Sequence, residues 1–346
     1  MTAVPVPANA TPPSDSPGSI PLYRLELTRG DEARVLQQLA REPFVDRALV
    51  EAWEGAWSDL WWRPACAFAD SVDLIATLKK IYGWRSGDVV VADPLVNPIW
   101  REGLAAAWLH TAPVDIDPLT GLATEQSPLY PPEGGTPQAR IVQHTLGHPH
   151  RIFRWETTVL EDVSAILKPL PGCGGGDLQM LSLDPNRMVR AGEGVVALSE
   201  DKNLIQTLKK HRPRLPAAGA VALGLSQLSR IDRILEGREH LAKNYLALRD
   251  RGLFHKPSNP QRGRAWDGFF LVMRSPEARE SLKAFLNKSN ILADSPLWFK
   301  SQVLDQLPGL EGFLATSLAL PLYLPLTPRE QKRVINRVHR WVEKRF

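Results

Sequence analysis

Short, wholly apolar runs alternate with helix-length amphipathic segments through the middle of this chain, and that alternation admits few folds. Leu74 to Tyr82 reads as a helix closed by Gly83, and Asp88 to Ala92 as a buried strand. Trp100 to Leu109 then reads as a helix and Ala112 to Ile116 as a second strand. Further strands are expected at Arg140 to Gln143, Thr158 to Leu160, Leu178 to Leu183 and Gly194 to Ala197. A strand that is apolar on both faces must be covered on both, and intervening helices supply the crossovers that parallel pairing requires. The expected architecture is an α/β fold around a parallel sheet.

The flanking regions complete the outline. Residues 1–19 are rich in Pro, Ala and Ser with almost no bulky apolar side chains, so they cannot offset chain entropy and are expected to form a disordered tail. Asp31 to Trp62 reads as one or two helices, and the spacing of Trp53, Trp57 and Trp61 places them on one face. Those rings are expected to pack a core or a subunit interface, the other reading being an aromatic wall over a ligand. A long helix is expected from Ala217 to about Leu253, followed by a transition at Gly252 and the Pro257/Pro260 loop. This divides the chain into a large domain, 20–253, and a small C-terminal domain, 254–346. In the latter, Gly268 to Met273 and Ala319 to Tyr323 read as strands, and Pro276 to Leu286 and Pro328 to Glu343 as helices.

Composition narrows the functional classes. A formal net charge of +4 with no long basic run argues against a nucleic-acid partner. Two cysteines far apart in sequence, Cys66 and Cys173, suggest neither a disulfide framework nor a metal knuckle. The absence of an apolar run long enough to span a bilayer, or of a signal-peptide layout, makes a cytoplasmic protein the simplest expectation.

Eight motifs in order carry a resemblance. They are Ile20-Pro21-Leu22, Gly87-Asp88-Val89-Val90-Val91 before Pro94, and Ala112-Pro113-Val114-Asp115-Ile116-Asp117. His144-Thr145-Leu146-Gly147-His148-Pro149, Leu160-Glu161-Asp162, and Gly176-Asp177 through Ser182 to Arg187 with Gly192-Glu193-Gly194 follow. Ala222-Leu223-Gly224-Leu225-Ser226-Gln227-Leu228 and Ser317 to Tyr323 with Leu326-Thr327 complete the set. Together they resemble the DegT/DnrJ/StrS sugar aminotransferases. The resemblance implies pyridoxal phosphate (PLP) fold type I: a large domain with a mostly parallel sheet, a small α/β C-terminal domain, and a homodimer with sites near the subunit interface.

It also assigns roles. Asp162 aligns with the carboxylate that pairs with the PLP pyridine nitrogen, where an anion lets the protonated ring act as an electron sink. Ser182 aligns with a hydroxyl on the phosphate. Arg187 falls where the family has the Lys that forms the Schiff base, and a guanidinium holds its proton too firmly to act as a neutral amine. Other positions depart as well. Phe68 to Asp73 replaces a Ser-Gly-Thr phosphate loop and puts Asp70 and Asp73 where a phosphate would sit. Val96, Asn97 and Pro98 replace a stacking ring, His211-Arg212-Pro213-Arg214 replaces an Asn-Tyr-Arg loop that reaches the neighbouring subunit, and Ala165 replaces a Gln.

These departures lead to the expectation of a catalytically degenerate homologue with no internal aldimine and no cofactor. Such a chain would be retained as a binding or partner subunit in sugar or polysaccharide metabolism. Two alternatives are an enzyme holding PLP non-covalently through Asp162 and Ser182, and a PLP-free enzyme using Arg187 as an anion clamp. A small anionic molecule or a nucleotide sugar is the expected ligand. Arg187 and Asp162 are equally expected to pair across the cleft, satisfying two buried charges. No metal is expected: His144, His148 and His150 read as a family-derived histidine and two solvent-facing ones, and Cys173 as part of a flexible turn. The C-terminal basic residues Arg329, Lys332, Arg333, Arg337 and Arg340 read as the solvated face of an amphipathic helix.

Overall fold

A computed structural model describes residues 18–345, except 25, 42–43, 124–136, 153–156, 186, 258–262 and 296–306. Of the tail expected over 1–19, only Gly18 and Ser19 fall within the described residues. The elements run α1 (Arg29–Leu39), α2 (Arg47–Trp61), β1 (Ala65–Phe68), α3 (Ser71–Tyr82), β2 (Val89–Ala92), α4 (Pro98–Ala106) and β3 (His110–Pro113). Next come β4 (Ala139–Gln143), β5 (Thr158–Asp162), β6 (Leu178–Ser182), β7 (Val195–Leu198), α5 (Lys202–His211), α6 (Ala218–Leu228) and α7 (Ile231–Leu246). The chain ends with β8 (Phe254–His255), β9 (Phe269–Met273), α8 (Pro276–Asn287), α9 (Pro308–Thr316), β10 (Ser317–Leu320) and α10 (Pro328–Glu343).

Seven strands form one sheet in the order β1-β7-β6-β5-β4-β2-β3. β7 pairs antiparallel with both β1 and β6, whereas the other pairings are parallel. The sheet is therefore mostly parallel, with one reversed strand, as fold type I requires. Strands β1, β4, β6 and β7 are buried at every position, which is why their sequences show no alternation. Helices α3, α4 and α5 cover one face through a core that includes Leu74, Leu78, Trp100 and Leu208. Helices α2, α6 and the start of α7 cover the other.

The tryptophans of α2 show how that second face closes. Trp53, Trp57 and Trp61 are buried as their spacing requires, and Trp53 meets Trp57 edge-on at 5.4 Å between centroids. The Trp61 indole N–H donates to the Leu167 carbonyl at 2.9 Å. Gly224 of α6 permits the approach, because a Cβ there would stand 2.3 Å from the Trp53 ring. Trp62 is 84% exposed and ends the helix in a left-handed conformation.

A second sheet, in the order β10-β9-β8, is antiparallel and packs under α8, α9 and α10. Ile20 forms an isolated bridge with Ile291 and is buried in this second core, so the start of the described chain packs with the small domain. The single helix expected from Ala217 to Leu253 is two, α6 and α7, interrupted at Ser229 and Arg230. Ile231 and Ile234 at the start of α7 pack into the large core, while Leu241, Ala242 and Tyr245 at its end pack into the small one.

Candidate active site

The carboxyl ends of the parallel strands gather at one edge of the large sheet, where open α/β folds bind their ligands. Asp162, the last residue of β5, is buried there and its carboxylate is densely contacted. One oxygen accepts from the Ser164 amide at 3.0 Å and from the Ser164 hydroxyl. The other accepts from the Trp100 indole at 2.9 Å and faces Arg187 Nη2 at 3.8 Å. Ser182, at the end of β6, donates its hydroxyl to Asp184 at 2.9 Å, and its amide donates to Ser164 Oγ at 2.7 Å. Asn97, the N-cap of α4, donates from Nδ2 to the same Asp184 oxygen at 2.6 Å.

Arg187 sits among three carboxylates. Besides Asp162, its Nε lies 3.4 Å from Asp184 and its Nη1 lies 3.6 Å from Asp267 of the segment leading into β9. Burial would lower the pKa of this guanidinium, but Asp162, Asp184 and Asp267 together hold it above the ordinary arginine value. Asp267 is also raised: burial outweighs the pull of Arg187 and Arg238 on its carboxyl. The sequence reading thus placed Asp162, Ser182 and Arg187 in one cluster, and the structure brings them together. It missed Asp267, Trp100 and Ser164, because no local pattern marks a partner that is distant in sequence.

Asp70 and Asp73 occupy the first turn of α3. The Asp70 carboxylate caps the helix by accepting from the Asp73 amide at 2.9 Å, so the chain supplies its own anion at this N-terminus. The exposed Arg214 donates to Asp70 at 2.6 Å and to Asp73 at 2.9 Å. These bonds to Asp73 and Asp70 raise the pKa of Arg214. Arg212 turns inward to Glu54 and the Ala67 carbonyl. Val96 and Ala165 are buried.

Ring nitrogens of His144 and His150 meet protein groups. His144 Nδ1 accepts from the His150 amide at 2.9 Å, which leaves Nε2–H to donate to Glu161 at 2.8 Å. His150 is buried with Nδ1 3.4 Å from Asp93, so the expectation of a solvent-facing residue fails there, because Asp93 holds the ring inside. Among the described residues, His144, Glu161 and Cys173 bring metal-type ligand atoms close together. Cys173 Sγ stands 3.7 Å from His144 Nδ1. Both ring nitrogens are already engaged, however, and burial pushes the thiol up to about 12. Burial alone would raise the Glu161 carboxyl, yet His144 and the Gly174 and Gly176 amides hold it below the usual carboxylate range.

The mostly parallel sheet and its helices have the PLP fold type I architecture seen in solved aminotransferases. Residues 213–339 match the model of the DegT/DnrJ/EryC1/StrS aminotransferase family. The aminotransferase TlmJ from Streptoalloteichus hindustanus is similar at 18% identity and a TM-score of 0.78, over 95% of this chain and 100% of that one. NtdA from Bacillus subtilis, solved with bound cofactor PMP, gives 18% identity and a TM-score of 0.80, over 92% of this chain and 83% of its own. A Streptococcus pneumoniae protein of sugar-aminotransferase type, in its PLP form, gives 15% and 0.77 over 95% and 100%. No curated protein sequence matches the chain at a significant level.

These likenesses correct one expectation, that of a chain without a cofactor. Structures of this fold carry PMP or PLP, and PLP is the cofactor to which the family points. The site meets that group unevenly. A carboxylate stands at the end of β5 for a ring nitrogen, and a hydroxyl stands at the end of β6. At position 187 there is no amine, and the amide of Asp73 in the first turn of α3 is already bonded to Asp70. The residues present do not fit PLP as a covalent adduct at position 187. Among the described residues no helix is long and apolar enough to cross a membrane.

Proposed function

We propose that this chain is a catalytically degenerate sugar-aminotransferase homologue that makes no covalent bond to PLP at position 187. PLP or PMP is the cofactor class in this reading, held without attachment beside Asp162 and Ser182. The observation that supports it is the guanidinium of Arg187 surrounded by Asp162, Asp184 and Asp267. A guanidinium in that setting is locked in its charged form and cannot attack a carbonyl. The chain then serves as a binding or partner subunit in sugar or polysaccharide metabolism, taking an anionic small molecule or a nucleotide sugar, and forms a homodimer. The pathway rests on the family, not on the site.

The test is an absorbance spectrum of the purified full chain mixed with PLP, before and after borohydride, followed by peptide mass spectrometry. Bound PLP that washes away after reduction is the expected result. A reduced pyridoxyl-lysine at Lys168, Lys202 or Lys209 would sink the reading and point to an active enzyme. A monomer at micromolar concentration in ultracentrifugation would remove the homodimer.

A further inference from the structure

Arg264 is buried, 7% exposed, and no carboxylate among the described residues answers its charge. Among the described residues its Nε and Nη1 donors have no acceptor, and Nη2 makes a long hydrogen bond to the Leu146 carbonyl at 3.4 Å. Instead of a carboxylate the guanidinium faces two rings, with its central carbon 4.7 Å from the centroid of Trp266 and 5.8 Å from that of Phe270. Among other buried arginines, Arg238 has Glu26 at 2.6 Å, Arg140 has Asp93 at 3.7 Å and Arg187 has three carboxylates, while Arg190 also leaves Nε and Nη1 without an acceptor but has the charges of Glu26 and Asp267 opposing its burial. Burial, with no anion among the described residues to oppose it, lowers Arg264 to about 9. A cation withdrawn from water without a counter-charge destabilises the fold, and an arriving anion relieves that cost.

A histidine stands close to this cation. The loop carrying His144 to His150 presses on the Arg264 segment: at Gly147, with φ +78°, a Cβ would stand 1.5 Å from the Ala265 carbonyl oxygen. That contact brings His148 near Arg264. Burial, then the Arg264 charge, lowers His148 to about 4, so at neutral pH it is an uncharged donor or acceptor beside the cation. Asp267, three residues on, already faces Arg187, so the segment borders the active-site edge.

We propose that Arg264, assisted by His148, is a receptor for the oxyanion of a small ligand, a phosphate or a carboxylate, at the border of the two sheets. The assignment places anion recognition at the unpaired arginine rather than at Arg187, whose charge is already met. It holds whether or not PLP binds covalently elsewhere.

The experiment is thermal unfolding and calorimetry of the full chain in inorganic phosphate and, separately, in acetate, with ionic strength held constant by chloride. An anion that binds the folded state raises the midpoint with concentration. Phosphate, acetate or both should do so, and the stronger of the two identifies the ligand group. Arg264→Met should raise the anion-free midpoint, because an unpaired buried charge is gone, and weaken anion binding by at least about ten-fold. Arg264→Lys should keep binding but weaken it, and Arg329→Met, on the exposed face of α10, should match the wild type. The proposal is overturned if neither anion shifts the wild-type midpoint or if Arg264→Met retains the shift. A lower anion-free midpoint in Arg264→Met would mark a purely structural guanidinium, with the same consequence.

Discussion

Arg187 Nη1 lies 3.6 Å from a carboxylate oxygen of Asp267, and this pair ties the loop after β6 to the segment that enters β9 of the other sheet. Arg187 thus serves here as a charge-paired link between two sheets. Its removal has consequences for stability as well as for chemistry.

Arg187→Met should destabilise the protein by about 3–5 kcal/mol at pH 7, because Asp162, Asp184 and Asp267 lose their shared cation. The loss should shrink in acid. Burial already raises Asp267 above its ordinary value of 3.8, and a carboxyl raised in the folded state favours folding at low pH and loses that contribution as pH rises. Urea melts at pH 5 and pH 8 check the sign: a variant relatively more stable at pH 8 would contradict it.

Arg187→Lys on its own should show no transaminase turnover. An amine is restored, but Asp70 still caps α3 and carries negative charge at the helix N-terminus. Adding Asp70→Gly should tighten PLP binding by at least about three-fold, since it removes repulsion and frees amide donors where an anion is favoured. Calorimetry with PLP reads the difference. Turnover from the single variant would show the site to be one residue from active.

Acid should unfold this protein partly through Glu161. His144 and the glycine amides hold its folded pKa below the ordinary 4.5, so its contribution is present above that value and is lost as pH falls through the lower folded one. Glu161→Gln should be less stable at pH 7 and show a flatter fall in stability as pH drops below the ordinary carboxyl value of 4.5. Parallel slopes for the two proteins would remove Glu161 from the account.

Trp57→Ala should cost about 3–5 kcal/mol, as a fully buried ring leaves a cavity beside Trp53. Trp62→Ala should fall within about 0.5 kcal/mol of the parent, since that side chain is 84% exposed. Chemical denaturation separates the two. A large loss at Trp62 would mean that its ring has a partner, such as a second subunit.

The elements that sequence reveals best are those whose burial is uniform. Val89–Ala92, Leu178–Ser182 and Pro328–Glu343 stand where their apolar runs or caps predict. Strand β1 escaped notice because Ala65–Phe68 has no period and follows the helix that the tryptophans dominate. The reversal of β7 is invisible locally, since a four-residue apolar run reads the same in either direction. The break at Ser229 and Arg230 carries no glycine or proline to announce it. Asp162, Ser182 and Arg187 are singled out by the family resemblance, and the structure places them in one cluster. Asp267 and Arg264 are not singled out, because their significance arises from partners, or a lack of them, across the fold.

Helix α7 gives its first turns to the core of the large sheet and its last turns to that of the small one. Melting either core strips one side of the same rod and exposes apolar surface that the other core needs covered. Cooperativity therefore passes through a covalent shaft rather than across an interface, and the two sheets should melt in one calorimetric transition. Replacing a residue at the middle of that shaft by proline would be expected to split the heat-capacity peak in two.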